Sequence, residues 1–385
     1  MSGEGPVIVA ARRTPIGTAG HALAGCTAAD LASAVLADLT AERGTTPGAV
    51  LGGVPLLEVV LGNCMGPGGD VARVGALQAG LPVSVPGLTV DRQCGSGLAA
   101  IALAVAQLRS GETGAVLAGG VESASTAPWR FWPPRGDEPP TRYQRAPFAP
   151  SDVGDPEMGS AAELIAREHG IGREEQDAYA ARSHARAVAT QQAGGFAGEL
   201  VPLAGLDRDE RPRAGLTVQR LARLRPAFEP GGAVTVGNSC GINDGAAAVT
   251  LVDAATHRRL DVPGLRVLAT ATAGVDPNRP GLGIVPAAQQ ALDRAGLDLD
   301  DVDVVEFNEA FAGQVLACCA ELRLDPERVC REGGALALGH PWGASGAVLA
   351  VRLFSQLVGG SAGRTGLAAI AVGGGQGVAM VVQTC

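Results

Sequence analysis

The two ends of this 385-residue chain carry the same local features in the same order. The stretch "CGSGLAAIALAV" (94–105) precedes "GAVLAGGVE" (114–122), and near the C-terminus "GASGAVLAVRLF" (343–354) precedes "LAAIAVGGGQG" (367–377). In both pairs, a helix rich in small residues is followed by an apolar strand that contains glycines. Such self-similarity predicts a duplicated α/β unit with a pseudo-twofold axis. The strand-to-helix loops of both halves would then converge at one crevice.

The remaining sequence divides around this duplication. Strand and helix patterns alternate over residues 1–120 and again over 254–385, which predicts a mostly parallel sheet with helical crossovers. Residues 121–236 break the alternation with an irregular stretch rich in Pro, Arg and aromatic residues. We interpret this segment as a loop domain inserted into the first α/β unit, which resumes over 237–253. The expected units are therefore 1–120 plus 237–253, the loop domain, and 254–385.

Composition excludes several classes of function. The net charge is −9 and every one of the 30 basic residues is arginine, without basic clusters, which argues against nucleic acid or an anionic membrane surface as partner. No apolar run approaches the ~20 residues that span a bilayer. The eight cysteines include no C-x-x-C pair, and the N-terminus has no secretory pattern. We expect reduced thiols, a cytoplasmic location and no bound metal.

The stretch "DRQCGSGLAAI" places Cys94 at a junction between a strand and a helix. A thiol at a helix N-terminus lies near the positive end of the dipole and near free N–H groups, which favour the thiolate. The thiolate is the form that attacks a carbonyl carbon. The alternative is a buried structural cysteine, which is the commoner role. The small residues around Ser96 favour a nucleophile.

Two further stretches carry polar side chains at positions where α/β crevices form. His340 lies in the turn "GHP" just before a predicted helix and is a candidate general base, although a structural turn residue is the alternative. Asn308 and Glu309 end a predicted buried strand, where ligand crevices form. The alternative for Asn308 is a helix cap.

The stretch "GNSCG" (237–241) fits the G-x-S-x-G pattern of a hydrolase nucleophile, which would be Ser239. The residues that follow indicate a turn and another strand rather than the helix that this motif requires. The glycines 373–375 match no phosphate-binding loop. We expect them to present backbone N–H groups as an oxyanion hole.

Together these stretches resemble the thiolase family. The resemblance rests on "DRQCGSGLAAI", "GNSCGINDGAAA", "NEAFA", "GGALALGHPWGASG" and "AVGGGQGVAM", in that family's order and spacing, and it covers essentially the whole chain. It implies a duplicated five-layered αβαβα fold with an inserted loop domain. It also implies an acyltransferase that is a homodimer or homotetramer, uses coenzyme A thioesters as substrates and binds no cofactor covalently.

The resemblance also implies roles for individual residues. Cys94 would take the acyl group, and His340 would activate Cys94. Asn308 would position a water. The N–H groups of Cys94 and Gly373 would form an oxyanion hole. The residues expected to bind the acyl group or coenzyme A are Met158, Phe228, Arg213 and Cys240.

The chain departs from the family pattern at a position that matters for the chemistry. The family's second catalytic cysteine precedes x-Gly-Gly-Gly, and this chain has Ala371 there. One branch carries that cysteine in the "NEAFA" stretch, where this chain has Ala310. Cys240 stands where serine is typical.

Loss of this acid/base predicts a second step other than ordinary condensation, such as decarboxylative carbon–carbon bond formation or acyl transfer to another nucleophile. One alternative is a conventional acetyl-CoA acetyltransferase in which another group replaces the missing acid, or in which Ala371 is an engineered change. A second alternative is a non-catalytic scaffold subunit.

Overall fold

The computed structural model describes residues 5–41, 49–50, 53–360 and 362–385. Strands and helices alternate through most of this range. The strands are β1 (Val7–Arg13), β2 (Gly17–Thr18), β3 (Ala49–Val50), β4 (Val54–Gly62), β5 (Gly87–Val90), β6 (Ala115–Ser123), β7 (Arg130–Trp132), β8 (Thr141–Tyr143), β9 (Asn243–Val252), β10 (Leu265–Gly274), β11 (Val304–Phe307), β12 (Thr365–Val372) and β13 (Gln376–Thr384).

The α-helices fall between these strands. They are α1 (Ala28–Thr40), α2 (Val71–Gln78), α3 (Ser96–Arg109), α4 (Met158–Glu168), α5 (Arg173–Gln192), α6 (Val218–Leu221), α7 (Ala254–Leu260), α8 (Ile284–Ala295), α9 (Ala312–Leu322), α10 (Ala335–Leu338) and α11 (Trp342–Phe354). Three short 3₁₀ helices and one π-helical turn complete the described elements; they are Pro280–Gly283, Leu299–Asp301, Pro326–Arg328 and Ser355–Gly359.

The main sheet is symmetric about its centre. Its strand order is β11-β12-β13-β10-β1-β9-β6-β4, and β5 pairs with β4 at the far side. Strands β1 and β10 lie side by side in antiparallel register, with Val7 opposite Arg266. Outward from this pair, β9 and β13 occupy equivalent places, followed by β6 and β12 and then by β4 and β11. The arrangement confirms the duplicated α/β unit.

The expectation of a mostly parallel sheet is wrong, because the sheet is mixed. Strand β4 is parallel to β5 and β6, and β11 is parallel to β12, whereas β9 and β13 are antiparallel to their neighbours. The connection from β12 to β13 is only residues 373–375, which is too short for a crossover and forces an antiparallel pair. The chain enters β9 from the inserted segment rather than from a crossover helix.

The helices of three hydrophobic clusters alternate with the two halves of the sheet, which gives five layers. One outer cluster holds the apolar side chains of α1 and α2, and the other holds those of α8 and α9. The middle cluster contains α3 and α11, which touch strands of both halves of the sheet. A Cβ on Gly97 would lie 2.8 Å from the Gly343 carbonyl oxygen, so the two central helices approach through glycine. Their N-termini therefore lie close together.

The segment between β6 and β9 contributes little to the main sheet. It holds the hairpin of β7 and β8, where the sequence predicts irregular chain, and Trp132 stacks on Tyr143 with ring centroids 4.6 Å apart. Its buried Glu199 accepts a hydrogen bond from Arg13 at 2.7 Å and pairs with Arg352 of α11. This network ties the segment to both halves. The predicted domain boundaries stay predictions.

None of the helices in the described ranges combines the length and the apolar character that crossing a bilayer requires. Across the same residues, no group of three or more His, Cys, Asp and Glu side chains is arranged to hold a metal ion.

Candidate active site

Cys94 lies in a tight turn between β5 and α3. Its neighbour Gln93 has φ 44°, a left-handed conformation that is uncommon for residues other than glycine. The Ser96 hydroxyl donates to the Gln93 carbonyl oxygen at 2.6 Å and accepts from the Arg92 N–H at 2.8 Å. Side-chain hydrogen bonds from the first turn of α3 therefore hold this strained backbone and fix the position of the thiol.

The Cys94 thiol is neutral at rest. Its N–H group and that of Gly373 face the sulfur and favour the thiolate, as the sequence position predicts. The enclosing protein atoms oppose them more strongly, so burial raises the pKa of Cys94 to about 12 although the residue is partly accessible through a cavity. The N–H groups thus lower this pKa in the expected direction, but burial outweighs them, and a base is needed to remove the proton.

His340 lies at the equivalent place in front of α11. The backbone N–H of His340 donates a hydrogen bond to the Asn243 side chain at 2.9 Å, and Gly339 turns the chain with φ 117°. The Ser345 hydroxyl lies 2.6 Å from His340 Nδ1 and donates to the Pro341 carbonyl oxygen. The Ser345 oxygen therefore accepts a hydrogen bond from Nδ1–H, which leaves Nε2 of the neutral ring unprotonated. Burial lowers the pKa of His340 to about 4, so the imidazole is a neutral base at pH 7.

One cavity of about 120 Å³ brings most of the predicted residues together. Its wall includes residues from both halves and from the inserted segment. The lining residues are Cys94, Met158, Ala161, Ala162, Ile165, Cys240, Pro280, Gly281, Ala310, Phe311, Gln314, His340, Trp342, Ala371, Val372 and Gly373. The wall is mainly apolar, and its titratable side chains in the described ranges are Cys94, Cys240 and His340.

The loop after β12 closes one side of the cavity. Ala371 and Gly373 both line it, and the Phe148 ring of the inserted segment lies against Gly373, where a Cβ would come within 2.7 Å of the ring. The missing side chain therefore lets Phe148 approach the loop that faces the Cys94 sulfur. At position 371 the cavity wall is a methyl group, which exchanges no proton.

Three predicted residues lie outside this wall. Asn308 is buried and lines a second, smaller cavity beside Ser345. Phe228 is half-exposed and packs edge-on against Phe311, with ring centroids 6.0 Å apart. Arg213 is exposed on the surface, and its backbone N–H donates to His184. Their expected roles toward water, acyl group and coenzyme A stay predictions.

Ser239 is not placed as a hydrolase nucleophile. Its hydroxyl donates to the Thr235 carbonyl oxygen at 2.7 Å, and the residue is buried. The chain runs from Ser239 into β9 rather than into a helix, so the strand–turn–helix geometry of that motif does not form.

Sequence reasoning missed two polar residues of the site. Ser345 follows His340 by five residues, within "GHPWGAS", where the first turn of a helix can reach back to the preceding turn. Arg211 lies in an irregular stretch and is brought beside Cys240 by the tertiary fold, so no local pattern points to it. Its guanidinium packs against Gly241, where a Cβ would overlap it.

The family models for the thiolase N-terminal and C-terminal domains match residues 6–255 and 261–384. The chain belongs to the thiolase family. A Pseudomonas aeruginosa acetyl-CoA acetyltransferase is 43% identical over 396 residues, with 98% of each chain covered. A probable acetyl-CoA acyltransferase of Staphylococcus aureus is 40% identical, also with 98% of each chain covered.

The fold of this thiolase agrees with a solved structure. The crystal structure of the Bacillus anthracis acetyl-CoA acetyltransferase superposes with a TM-score of 0.89 and 36% identity, covering 99% of both chains. The duplicated αβαβα architecture and an acyltransferase activity follow from these relationships. The relatives' names favour conventional acetyl transfer over the unusual second step expected from Ala371.

Proposed function

We propose that this thiolase transfers an acyl group from one coenzyme A thioester to the α-carbon of acetyl-CoA, and catalyses the reverse thiolysis. The observation that carries the proposal is the shared cavity of Cys94 and His340, with the Gly373 N–H facing the sulfur. His340 Nε2 takes the Cys94 proton as the sulfur attacks the thioester carbonyl. The N–H groups of Cys94 and Gly373 stabilise the oxyanion that forms.

The substrate groups have places in this proposal. The acyl chain occupies the apolar wall around Met158, near Phe228 and Phe311, and the thioester lies beside Cys94. The pantetheine arm leaves past Cys240, toward Arg213 and the nucleotide of coenzyme A. Asn308 holds a water for the second substrate's thioester oxygen.

A mass measurement tests the first step. Incubation with acetyl-CoA is expected to add one acetyl group, mapped to Cys94, while Cys94→Ala gains none and Cys26→Ser, a control distant from the cavity, gains the same mass. Absence of any adduct on the unaltered chain contradicts the proposal and favours a non-catalytic scaffold. An adduct on Ser239 contradicts it in favour of a hydrolase.

Ala371 favours a second candidate function, in which the Cys94 acyl-enzyme reacts without removal of an α-proton. A malonyl-type thioester would release CO₂ to form the carbanion, or an amine or hydroxyl would accept the acyl group. One measurement distinguishes the two candidate functions. Thiolysis of acetoacetyl-CoA by the unaltered chain supports the conventional reaction, and an acyl adduct without thiolysis supports the second.

We also propose a cytoplasmic homodimer or homotetramer. Apolar side chains lie exposed on and around α2 and β5, including Val74, Leu77, Val83 and Leu88, the last 41% exposed. An exposed apolar group of this kind is typical of an interface. Light scattering is expected to give a mass at least twice that of one chain, and a monomer contradicts the proposal.

A further inference from the structure

We propose that Cys240, assisted by Arg211, is the acid/base that moves the substrate α-proton in this thiolase, in place of a thiol at position 371. The inference rests on the carbon–carbon bond-forming function proposed above. It assigns a catalytic role to Cys240 in addition to contact with the pantetheine arm.

The cavity leaves few candidates for this proton transfer. Within its described lining, the titratable side chains are Cys94, Cys240 and His340, and no carboxylate is present. Cys94 carries the acyl group during the second step. His340 already holds the Cys94 proton at that stage, and its low pKa of about 4, caused by burial, disfavours a second role as base. Burial raises the pKa of Cys240 to about 12, which makes its thiolate the strongest base available while Cys94 is acylated.

The backbone holds Cys240 in place. Its N–H donates to the Ala310 carbonyl oxygen at 2.9 Å, and the preceding Ser239 bridges to Phe311 in a short β-type contact. Both contacts join the Cys240 turn to the start of α9. Cys240 and Cys94 are also close enough that a charge on one sulfur raises the pKa of the other. The thiol therefore has a fixed place in the cavity beside the acyl-enzyme.

Arg211 supplies a positive charge for the Cys240 thiolate. Its guanidinium packs on Gly241, and its Nε is buried without a hydrogen-bond partner in the described part of the chain. Burial lowers the pKa of Arg211, and Cys240 is the anion-forming neighbour that opposes this shift. A buried guanidinium is stabilised by an anion, and deprotonation of Cys240 creates one next to it.

The other ionisable groups around this pair leave the cation free to act on Cys240. Arg213 and His184 lie beside Arg211, and a positive charge on either of them repels the Arg211 guanidinium. Cys94 and His340 line the same cavity as Cys240. Glu309, on the segment that packs against Cys240, is turned away and accepts hydrogen bonds from Tyr179 and Ser183.

The proton balance closes over the two steps. In acylation, His340 takes the Cys94 proton, the Cys94 sulfur bonds to the acyl carbon, and the departing CoA thiolate takes the Cys240 proton. In condensation, the Cys240 thiolate takes a proton from the acetyl-CoA methyl group. The resulting carbanion bonds to the acyl carbon, the carbon–sulfur bond to Cys94 breaks, and protonated His340 returns its proton to Cys94.

Exchange of the acetyl-CoA methyl protons in D₂O tests the inference directly, because it measures α-proton removal. Cys240→Ser is nearly isosteric and lacks the acidic thiol. We expect it to slow exchange by about 10²–10⁴-fold. Cys385→Ser, at the exposed C-terminus, is the matched control and keeps the exchange rate. Adding Ala371→Cys to Cys240→Ser is expected to restore exchange.

A second readout separates this chemistry from folding and from the first step. p-Nitrophenyl acetate has a leaving group that needs no proton, so Cys240→Ser is expected to reach the same one-acetyl mass on Cys94 as the control Cys385→Ser. Retained exchange in Cys240→Ser overturns the inference, as does joint loss of exchange and of the Cys94 adduct. An unaltered chain that forms no adduct, or forms one without methyl exchange, instead overturns the proposed function. An unaltered chain that does both, with exchange retained in Cys240→Ser, overturns the inference alone.

The role of Arg211 has its own signature. Arg211→Gln removes the charge that stabilises the thiolate, so the rise of exchange with pH is expected to move to higher pH. A lower rate at neutral pH should recover as the pH increases. An unchanged pH profile overturns the part assigned to Arg211.

Discussion

The turns in front of α3 and α11 are equivalent parts of the duplicated fold that carry different residues. Cys94 immediately precedes the N-cap Gly95, and His340 immediately precedes the N-cap Pro341. In the first turn Ser96 holds the backbone, whereas in the second Ser345 holds the imidazole. The duplicated fold therefore has two equivalent positions, to which we assign the proposed nucleophile and its proposed base.

Among these predictions, removal of the His340 imidazole is expected to have the largest effect, which is on turnover. His340→Ala leaves the Cys94 thiol, whose pKa is about 12, without a proton acceptor. Turnover should fall by about 10²–10⁴-fold, measured as acetoacetyl-CoA thiolysis, and added imidazole should restore part of it. An activity within threefold (about 0.7 kcal/mol) of the unaltered chain contradicts the role of His340.

Protonation of the His340 imidazole is also expected to make the free energy of unfolding depend on pH. The folded-state pKa of His340 is about 4, below its ordinary value of 6.5, so the unfolded chain binds the proton first as pH falls. Stability is then lost between pH 6.5 and 4, and this residue contributes about 3 kcal/mol of that loss. His340→Gln should flatten the slope in denaturant unfolding at several pH values. His184 has the same direction of shift and keeps part of the slope.

The contact between the two central helices comes next. A Cβ at Gly97 would meet backbone atoms of Gly343 and Ala347, so Gly97→Ala should destabilise the fold by about 1–3 kcal/mol, despite a better helix former. Gly198→Ala, an exposed site with open space around it, is the control and should change stability by less than about 0.5 kcal/mol. Equal unfolding free energies for both variants contradict this packing.

The smallest effect is expected from Ser345. Ser345→Ala removes the acceptor that fixes the His340 tautomer, while the imidazole remains. The expected loss is about tenfold in kcat with little change in KM, which corresponds to a lost hydrogen bond of about 1.4 kcal/mol. Ser33→Ala on α1 is a control far from the cavity. A change confined to KM would show that Ser345 acts on binding instead.

The sequence predicts the duplication and places Cys94, Cys240, His340, Ala371 and Gly373, since these residues lie in short motifs at element boundaries. These five line one cavity. The mixed pairing of the sheet is not predicted, because local patterns specify strands but not their partners. The high pKa of Cys94 is not predicted either, because desolvation depends on atoms brought in from distant segments.

Arg211 shows the limit of sequence reasoning most clearly. Its neighbours in sequence indicate a solvated charged loop, and only the tertiary contact with Gly241 gives the guanidinium its place beside Cys240. Asn308 shows the reverse case. Its position at the end of β11 is predictable, yet its side chain lines a neighbouring cavity.

The cavity wall is divided between two kinds of segment. The duplicated halves supply Cys94 and His340, whereas α4 of the inserted segment supplies Met158, Ala162 and Ile165. Changes in this one helix can enlarge or shorten the wall without touching the sulfur or the imidazole. If the proposed roles hold, the architecture lets acyl preference be altered separately from reactivity.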